Sequence, residues 1–588
     1  MAYSRATGDD ISEVDTPLLD SVVAGYVDFE GRPSVRSKSG CWKSASFVIG
    51  AEVAERFAYF GISSNLISYL TGPLGQTTAT AASNVNVWSG TSALLPLLGA
   101  CVSESFFGRY RMIIFSNLLY ILGLGSLSLS AALHSLNSSY CSKAANDEAC
   151  SSSRLQIIFF FFSLYLVALA QGGHKPCLQA FGANQFDEDD ENECKAKSPF
   201  FNWWCFFTSL GILVARVVLS YIQENLSWEL GFGIPCIVMC FALIIFLLGT
   251  MTYRFQINSD GRNPFVSISH VFIQSARNFQ ATPTAVSVEK DAQENLAHKD
   301  ARFSFLNKAL LAPDGSRENG NDCNIRDIED AKAILGLVPI WATCLGYAIV
   351  LSQVSTLFTK QGATMDRHIN SSFQMPAASL LSFISLTNIV IVPIYDRIIV
   401  PIARAVSKEP SGLSMLQRIG VGVFLSIFSM VIAAIIERKR LITAIEYGLA
   451  DMPKATIPMG VWWLVPQYMI LGISEVFTLV GLQEFFYDQV PIELKSLGPA
   501  LYFSVLGTGN FLSSFLISVI EKATSGRDHD GWFSDNLNRA HLDYFYWLLA
   551  GISAFAFAAY VYFASSYAHN EAIHSDEEAA PRLDFDII

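Results

Sequence analysis

The sequence predicts an all-α membrane protein, with twelve transmembrane helices arranged as two six-helix bundles, on three observations. Of the 588 residues 51% are hydrophobic and 15% charged, against about 25% charged in an ordinary soluble domain. Mean hydropathy is +0.36. Mostly apolar stretches of about 20 residues, the length that crosses a bilayer with its backbone groups bonded to one another, recur along nearly the whole chain. This composition excludes a disordered, collagenous or disulfide-dense protein. The net charge of -13, from 39 Lys and Arg against 52 Asp and Glu, offers no broad basic surface, so no nucleic-acid partner is expected. Eleven Cys without a CxxC pair predict no metal framework.

Residues 1–40 are polar, contain Gly31 and Pro33, and lack the charged start, apolar stretch and cleavage site of a signal peptide; they read as a cytosolic tail. The first bundle, 41–253, holds spans near 44–70, 86–107, 112–133, 156–181, 200–222 and 231–253. The third carries no charge at all. Residues 254–332 form a cytosolic linker rich in alternating charge, with Asn-Gly and Pro-Asp-Gly turns, read as mostly solvated loop with a short amphipathic helix near 325–334. The second bundle, 333–567, holds spans near 334–359, 373–400, 416–436, 463–488, 497–521 and 543–567, and a cytosolic tail, 568–588, follows.

An even number of crossings places both termini on one side. With cytosolic termini, 25 of the 39 Lys and Arg fall in cytosolic segments, ten of them in the linker, which is the sense of the positive-inside rule. Cys141 and Cys150 then lie on the opposite side, where a disulfide is permitted; a bridge and two separate thiols are both open readings. Asn137 and Asn370 start glycosylation sequons on that same side.

An ionisable side chain at mid-membrane costs about 2.5–3.5 kcal/mol on insertion, so it has to face a partner or a watery cavity. The first span contains Glu52, Glu55 and Arg56, whose spacings of three and four put their head groups on one helical face. Two acids and one base leave an unbalanced negative charge. Lys175 in the fourth span is the candidate second cation, and a Lys facing two carboxylates is a proton switch in outline: protonation of an acid loosens its hold on the ammonium, and deprotonation restores it. A permanently ionised cluster that only fixes two helices is the alternative. Glu475 in the tenth span adds an acid at corresponding depth in the second bundle, which favours transport over scaffolding. His174 reads as a packing or hydrogen-bonding residue before a proton relay. Arg216, near the outer end of the fifth span, is expected to snorkel to the interface. The acidic run 187–193 lacks the Gly and the terminal acid of a calcium loop and reads as solvated loop.

Three motifs carry a resemblance. Glu52-x-x-Glu55-Arg56-Phe57-x-Tyr59, the stretch from Gly172-Gly173-His174-Lys175-Pro176 to Gln185-Phe186-Asp187, and Glu475-Val476-Phe477 with Glu484-Phe485-Phe486-Tyr487 are similar to the signatures of the plant nitrate- and peptide-transporter family. That family belongs to the proton-dependent oligopeptide transporters of the major facilitator superfamily, and the resemblance runs from about Trp42 to the twelfth span. It implies two bundles around a central site opened alternately to each side. It also implies that Glu52, Glu55, Arg56, Lys175 and Glu475 couple protons, and that substrate meets Tyr59, Arg56, Lys175, Tyr347, Leu351, Ser355, Asn388 and Glu475. Between the second and third spans the facilitator loop signature resembles Gly99 to Arg111, with Glu104 in place of the usual Asp, and Arg109; Asp396 and Arg397 stand at the equivalent turn of the second bundle. These four charges are expected to latch the cytosolic gate.

Departures from the family pattern bear on substrate. Ser63 stands where peptide carriers place an Arg, Phe60 replaces their second Tyr, and the seventh span has no acid, which speaks against dipeptides. Leu351 stands where the best-understood nitrate carrier has a His, while Arg56 and Lys175 can still hold an anion. The expected function is proton-coupled symport of nitrate or a small organic solute across a plant membrane. A passive facilitator, a di/tripeptide transporter and a substrate-sensing receptor on a transporter fold are the alternatives. No enzyme is expected, because no nucleophile-base pair, metal-ligand cluster or phosphate loop can be assembled, and no cofactor is expected beyond the proton as coupling ion. Glu13 followed by Leu18-Leu19 resembles an acidic dileucine sorting signal, which implies a cytosolic adaptor as partner and the vacuolar membrane rather than the plasma membrane.

Overall fold

The computed structural model describes residues 22–143, 154–187, 190–256, 264–277, 303, 305–306, 325–370, 373–407, 413–491, 497–526 and 531–579. Twelve long helices dominate it: α1 Cys41–Ser63, α2 Thr78–Val102, α3 Arg109–Lys143, α4 Arg154–Ala183, α5 Glu191–Val214, α6 Trp228–Leu248, α7 Ile325–Leu351, α8 Ser382–Ile394, α9 Met415–Glu446, α10 Val465–Gln489, α11 Leu497–Thr524 and α12 Leu542–Ala579. Eleven of the described helical segments are long and apolar enough to cross a membrane. The twelfth, α1, has 23 residues, enough at ~1.5 Å per residue to span the hydrocarbon core, and is set apart only by the charges it carries. The fold is that of a polytopic all-α membrane protein.

Several spans are interrupted where the sequence suggested continuous helix. The first breaks after Ser63 and resumes as Leu66–Thr71. The seventh ends at Leu351, turns through 352–356 and resumes as Leu357–Ala363. Single π-helical turns extend the fifth at Ala215–Leu219 and the eighth at Tyr395–Ile399. Another, Ser103–Phe107, ends the second and is closed by Gly108 at φ 73°, ψ 152°, a conformation essentially reserved for glycine.

The described residues divide into two compact units, residues 1–64 with 95–261, and 65–94 with 262–588. Two of the three cuts fall where the backbone is weakened. One is the break after Ser63; the other precedes Pro96 inside α2, where a proline removes one backbone bond and crowds the preceding turn.

In the first unit, α4 approaches its neighbours closely at Gly172 and Gly173: a Cβ on Gly172 would press on Leu95 of α2, and one on Gly173 would overlap Ser116 and Met112 of α3. The stretch expected to be a plain polar tail contains two strands between Val22 and Val35. Strands β1 Val22–Val27, β2 Pro33–Val35 and β3 Phe255–Gln256 form an antiparallel sheet in the order β2-β1-β3, with Val27 opposite both Pro33 and Phe255. The turn between β1 and β2 is held by Asp28, whose carboxylate accepts the Glu30 and Arg32 amides at 2.9 Å each.

This hairpin leads into a charge network that corrects the reading of 187–193 as solvated loop. Arg254 is fully buried, and its guanidinium donates to both Glu193 oxygens at 2.6 and 3.1 Å and to the Ser39 carbonyl at 2.8 Å. Gln185 closes the arrangement by accepting from the Arg254 amide at 2.9 Å and donating to its carbonyl at 3.2 Å. Arg36 reaches Asp187 at 2.5 Å and Asp190 at 3.1 Å. A Cβ at Gly40, where φ is 77°, would overlap the Arg254 guanidinium, so glycine is required there twice over.

In the second unit the ninth span, expected to stop at 436, runs on to Glu446 from a capping box at Ser414 and Gln417. The extension buries an ion pair that the sequence had assigned to a loop. Glu437 and Arg440 lie three residues apart and are both fully buried, bonded to each other at 2.6 and 2.8 Å. Gln361 donates to Glu437 at 2.8 Å, and Arg440 donates to the Leu537 carbonyl at 2.7 Å and to Asn538 at 3.0 Å. The linker is also more structured than expected. Helix Pro264–Arg277 packs through Val271 onto Leu306 and onto Ile328 and Ala331 of α7, and the helix expected near 325–334 is the start of α7 itself.

Candidate functional site

Burial of the α1 charges begins with spacing. On a 3.6-residue helix Glu52, Glu55 and Arg56 share a face, and the structure turns that face inward: Glu52 and Glu55 are 1% and 0% exposed. Arg56 Nε donates to Glu52 Oε1 at 2.8 Å and stands 3.7 Å from Glu55 Oε2. Two further helices reach the same spot. The Tyr120 hydroxyl on α3 donates to Glu55 Oε1 at 3.1 Å, and Gln171 Nε2 on α4 donates to that oxygen at 3.2 Å. Neither residue stood out in the sequence.

Lys175, one turn beyond Gln171 on α4, lies within electrostatic reach of Arg56, Glu55 and Glu52. His174 is fully buried, its ring meeting that of Tyr120 edge-on at 6.5 Å, and neither ring nitrogen has a hydrogen-bond partner among the described residues. Tyr59 is half-buried, and its ring packs edge-on against Phe60 at 5.2 Å. The first unit therefore gathers Glu52, Glu55, Arg56 and Lys175 as the sequence suggested. Arg216 corrects an expectation: instead of snorkelling it is 9% exposed, its guanidinium 5.0 Å over the Phe60 ring.

The second unit builds a separate group. Ser474 on α10 donates to the Gly422 carbonyl of α9 at 2.6 Å, a close approach made possible by the missing side chain. The next residue, Glu475, is half-buried and lies within electrostatic reach of Tyr347 on α7, whose ring is fully buried and also faces Tyr502 of α11. Trp341 Nε1 donates to Ser504 at 2.7 Å and joins α7 to α11. Leu351 is the last residue of α7, Ser355 lies in the turn after it, and Asn388 is half-buried on α8, so these three stand on different pieces of backbone.

Of the proposed gate charges, Arg109 begins α3 and is half-buried, and Arg397 is exposed on the π-helical turn. The side chains of Glu104, Asp396 and Cys141 lie outside the described residues, as do Cys150, and with it the choice between a bridge and two separate thiols, and Glu13, Leu18 and Leu19. The signature turn of the second bundle instead shows Arg418 stacked 4.4 Å over Tyr395 and bonded to Glu484 at 3.1 Å. No group of three potential metal ligands occurs among the described residues.

A set of membrane-crossing helices with buried acids and a half-buried guanidinium and ammonium beside them belongs, as a class, to the membrane transporters. The particular family is the POT family: the model described as PTR2, POT family, matches residues 110–533, and the chain belongs to it. It is 57% identical to the protein NRT1/PTR family 5.10 of Arabidopsis thaliana over 95% of this chain and 98% of that one. It is 54% identical to NRT1/PTR family 5.12 of the same plant over 96% and 99%. The in meso crystal structure of the POT family transporter PepTSo superposes with a TM-score of 0.66 at 19% identity, covering 90% of this chain and 98% of that one. An auto inhibited POT family peptide transporter gives 0.62 at 20% identity, over 90% and 96%. At those identities the two structures speak for a shared fold.

Proposed function

We propose that this transporter is a proton-coupled symporter of nitrate or a small organic solute, working by alternating access. The observation that carries the reading is the α1 cluster: two fully buried carboxylates share one guanidinium, with the Lys175 ammonium as the second cation on another helix. Ionised groups held inside the membrane are costly and mark pathways, and taking up a proton is the change open to a carboxylate. Protonation releases Lys175 from its acid, and substrate binding near Arg56, Lys175 and Glu475 supplies the differential interaction that moves the equilibrium.

Hydrogen bonds between segments far apart in sequence support alternating access. Thr71 accepts from Lys360 at 3.1 Å, the Thr78 amide donates to Asp535 at 2.8 Å, Ser83 meets Ser514 at 2.6 Å, and Asn86 donates to Ser513 at 3.0 Å. With cytosolic termini these bonds lie on the outer side and have to break to admit solute from there. The substrate reading rests on Ser63 and on the seventh span, 334–359, which carries no acid, both unsuited to peptide binding, and on Tyr347 beside Glu475, which suits an organic solute bearing a hydrogen-bond donor.

Uptake of nitrate and of a panel of organic anions into oocytes at acid and neutral external pH tests the reading: symport gives accumulation that grows with acidity, and equilibration indifferent to pH identifies a facilitator. We place the protein in the vacuolar membrane on the strength of Leu18-Leu19. A fluorescent fusion carrying Leu18→Ala and Leu19→Ala is expected to move to the plasma membrane.

A further inference from the structure

Glu52 and Glu55 occupy one turn of α1 but are held in different ways. Glu52 Oε1 is bonded to a cation, Arg56, at 2.8 Å. Glu55 Oε1 receives two neutral donors from two other helices, the Tyr120 hydroxyl at 3.1 Å and the Gln171 amide at 3.2 Å, while its Oε2, 3.7 Å from Arg56 Nε, is like Glu52 Oε2 buried without a hydrogen-bond partner among the described residues. Tyr120 and Gln171 are themselves 0% and 1% exposed. The His174 and Tyr120 rings lie in a T-shaped arrangement with centroids 6.5 Å apart.

Donors aimed at a carboxylate favour its ionised form, and their removal favours the protonated one. A carboxylic acid keeps one oxygen as acceptor, so a proton arriving on Oε2 leaves the two bonds to Oε1 in place. We infer that Tyr120 and Gln171 are positioning residues that set the proton affinity of Glu55, the proton-accepting acid of the pair, while Glu52 remains the counter-ion of Arg56. The inference rests on the proton-coupled reading above and names the groups that tune it. Among the described residues, the titratable and charged groups around Glu55 are Glu52 and Arg56 on α1, Tyr120 on α3 with Tyr59 near its phenol, and His174 and Lys175 on α4. Apart from the phenol itself, Tyr120→Phe leaves that set untouched.

The test needs no known substrate. The full chain, purified and reconstituted in vesicles of neutral phospholipid, is titrated with acid while infrared difference spectroscopy follows the carboxylic-acid carbonyl band. Loss of that band in Glu55→Gln, with its persistence in Glu52→Gln, assigns it to Glu55. The expected result in Tyr120→Phe is a midpoint about one pH unit higher, a tenfold change in proton affinity from one lost charge-assisted bond. Gln171→Leu, on a different helix, is expected to move the midpoint in the same direction, so poor folding of one variant leaves the other to decide. Unchanged midpoints in the variants, or a band that survives Glu55→Gln, overturn the inference. A midpoint that shifts as stated while uptake ignores pH leaves the inference standing and removes the symport reading instead.

Discussion

Arg254 and Glu193 meet head to head in the first unit, Nη1 to Oε2 at 2.6 Å and Nη2 to Oε1 at 3.1 Å, with the guanidinium entirely buried. The pair ties the chain leaving α6 to the start of α5, and Ser39 and Gln185 complete the guanidinium's bonds. Removing one partner of a buried pair leaves an uncompensated charge and costs about 3–5 kcal/mol. Glu193→Ala is therefore expected to lower the melting temperature of the purified protein sharply. Arg36→Gln, at a side chain 32% exposed, removes solvent-screened ion pairs to Asp187 and Asp190, each worth about 1 kcal/mol or less. Equal losses from the two variants would contradict this account of the network.

The bond between Ser83 and Ser514 gives a second prediction. Their hydroxyls are 2.6 Å apart, and Gly90 and Gly507 let the two helices approach closely nearby. Ser83→Cys with Ser514→Cys is expected to form a disulfide under mild oxidation and to abolish uptake, and a reductant is expected to restore it. Full uptake in the cross-linked protein would show that α2 and α11 need not separate.

Outside the spans, the Asp366 carboxyl is held below the usual carboxylate range by the His368 ring at 2.7 Å and then by the His368 amide at 3.1 Å. A group whose affinity for protons falls on folding contributes its stability in full above its unfolded value, ~3.9, and loses it as pH drops through the depressed folded value. The His368 amide is therefore expected to stay equally protected from hydrogen exchange from neutral pH down to about pH 4, and to lose protection below that. Protection that increases on acidification would contradict the sign.

Much of the architecture was legible because bilayer physics writes it into composition: α3 and α9 show as long apolar runs, and the Glu52, Glu55 and Arg56 spacing already implies one face. What was not legible is whatever depends on a partner distant in sequence. Glu437 and Arg440 sit in a Glu-Arg-Lys-Arg run that looks like loop, and partners far along the chain, Gln361, Leu537 and Asn538 among them, explain their burial. Their spacing of three was the one available signal. The acidic run at 187–193 looked solvated because Arg36 and Arg254 are far away along the chain. Tyr120 and Gln171 are uncharged polar residues in largely apolar helices, and nothing local distinguishes them from polar residues that merely pack.

Lys175 gives the most direct test of the central claim. Uptake of the substrate panel by the wild type and by Lys175→Ala should be compared at acid and neutral external pH, with the proton current recorded alongside. The account predicts acid-stimulated uptake with a matching inward current in the wild type, and a fall of at least about tenfold in both, ~1.4 kcal/mol, in the variant. Uptake that is the same at both pH values and survives loss of the ammonium would contradict it.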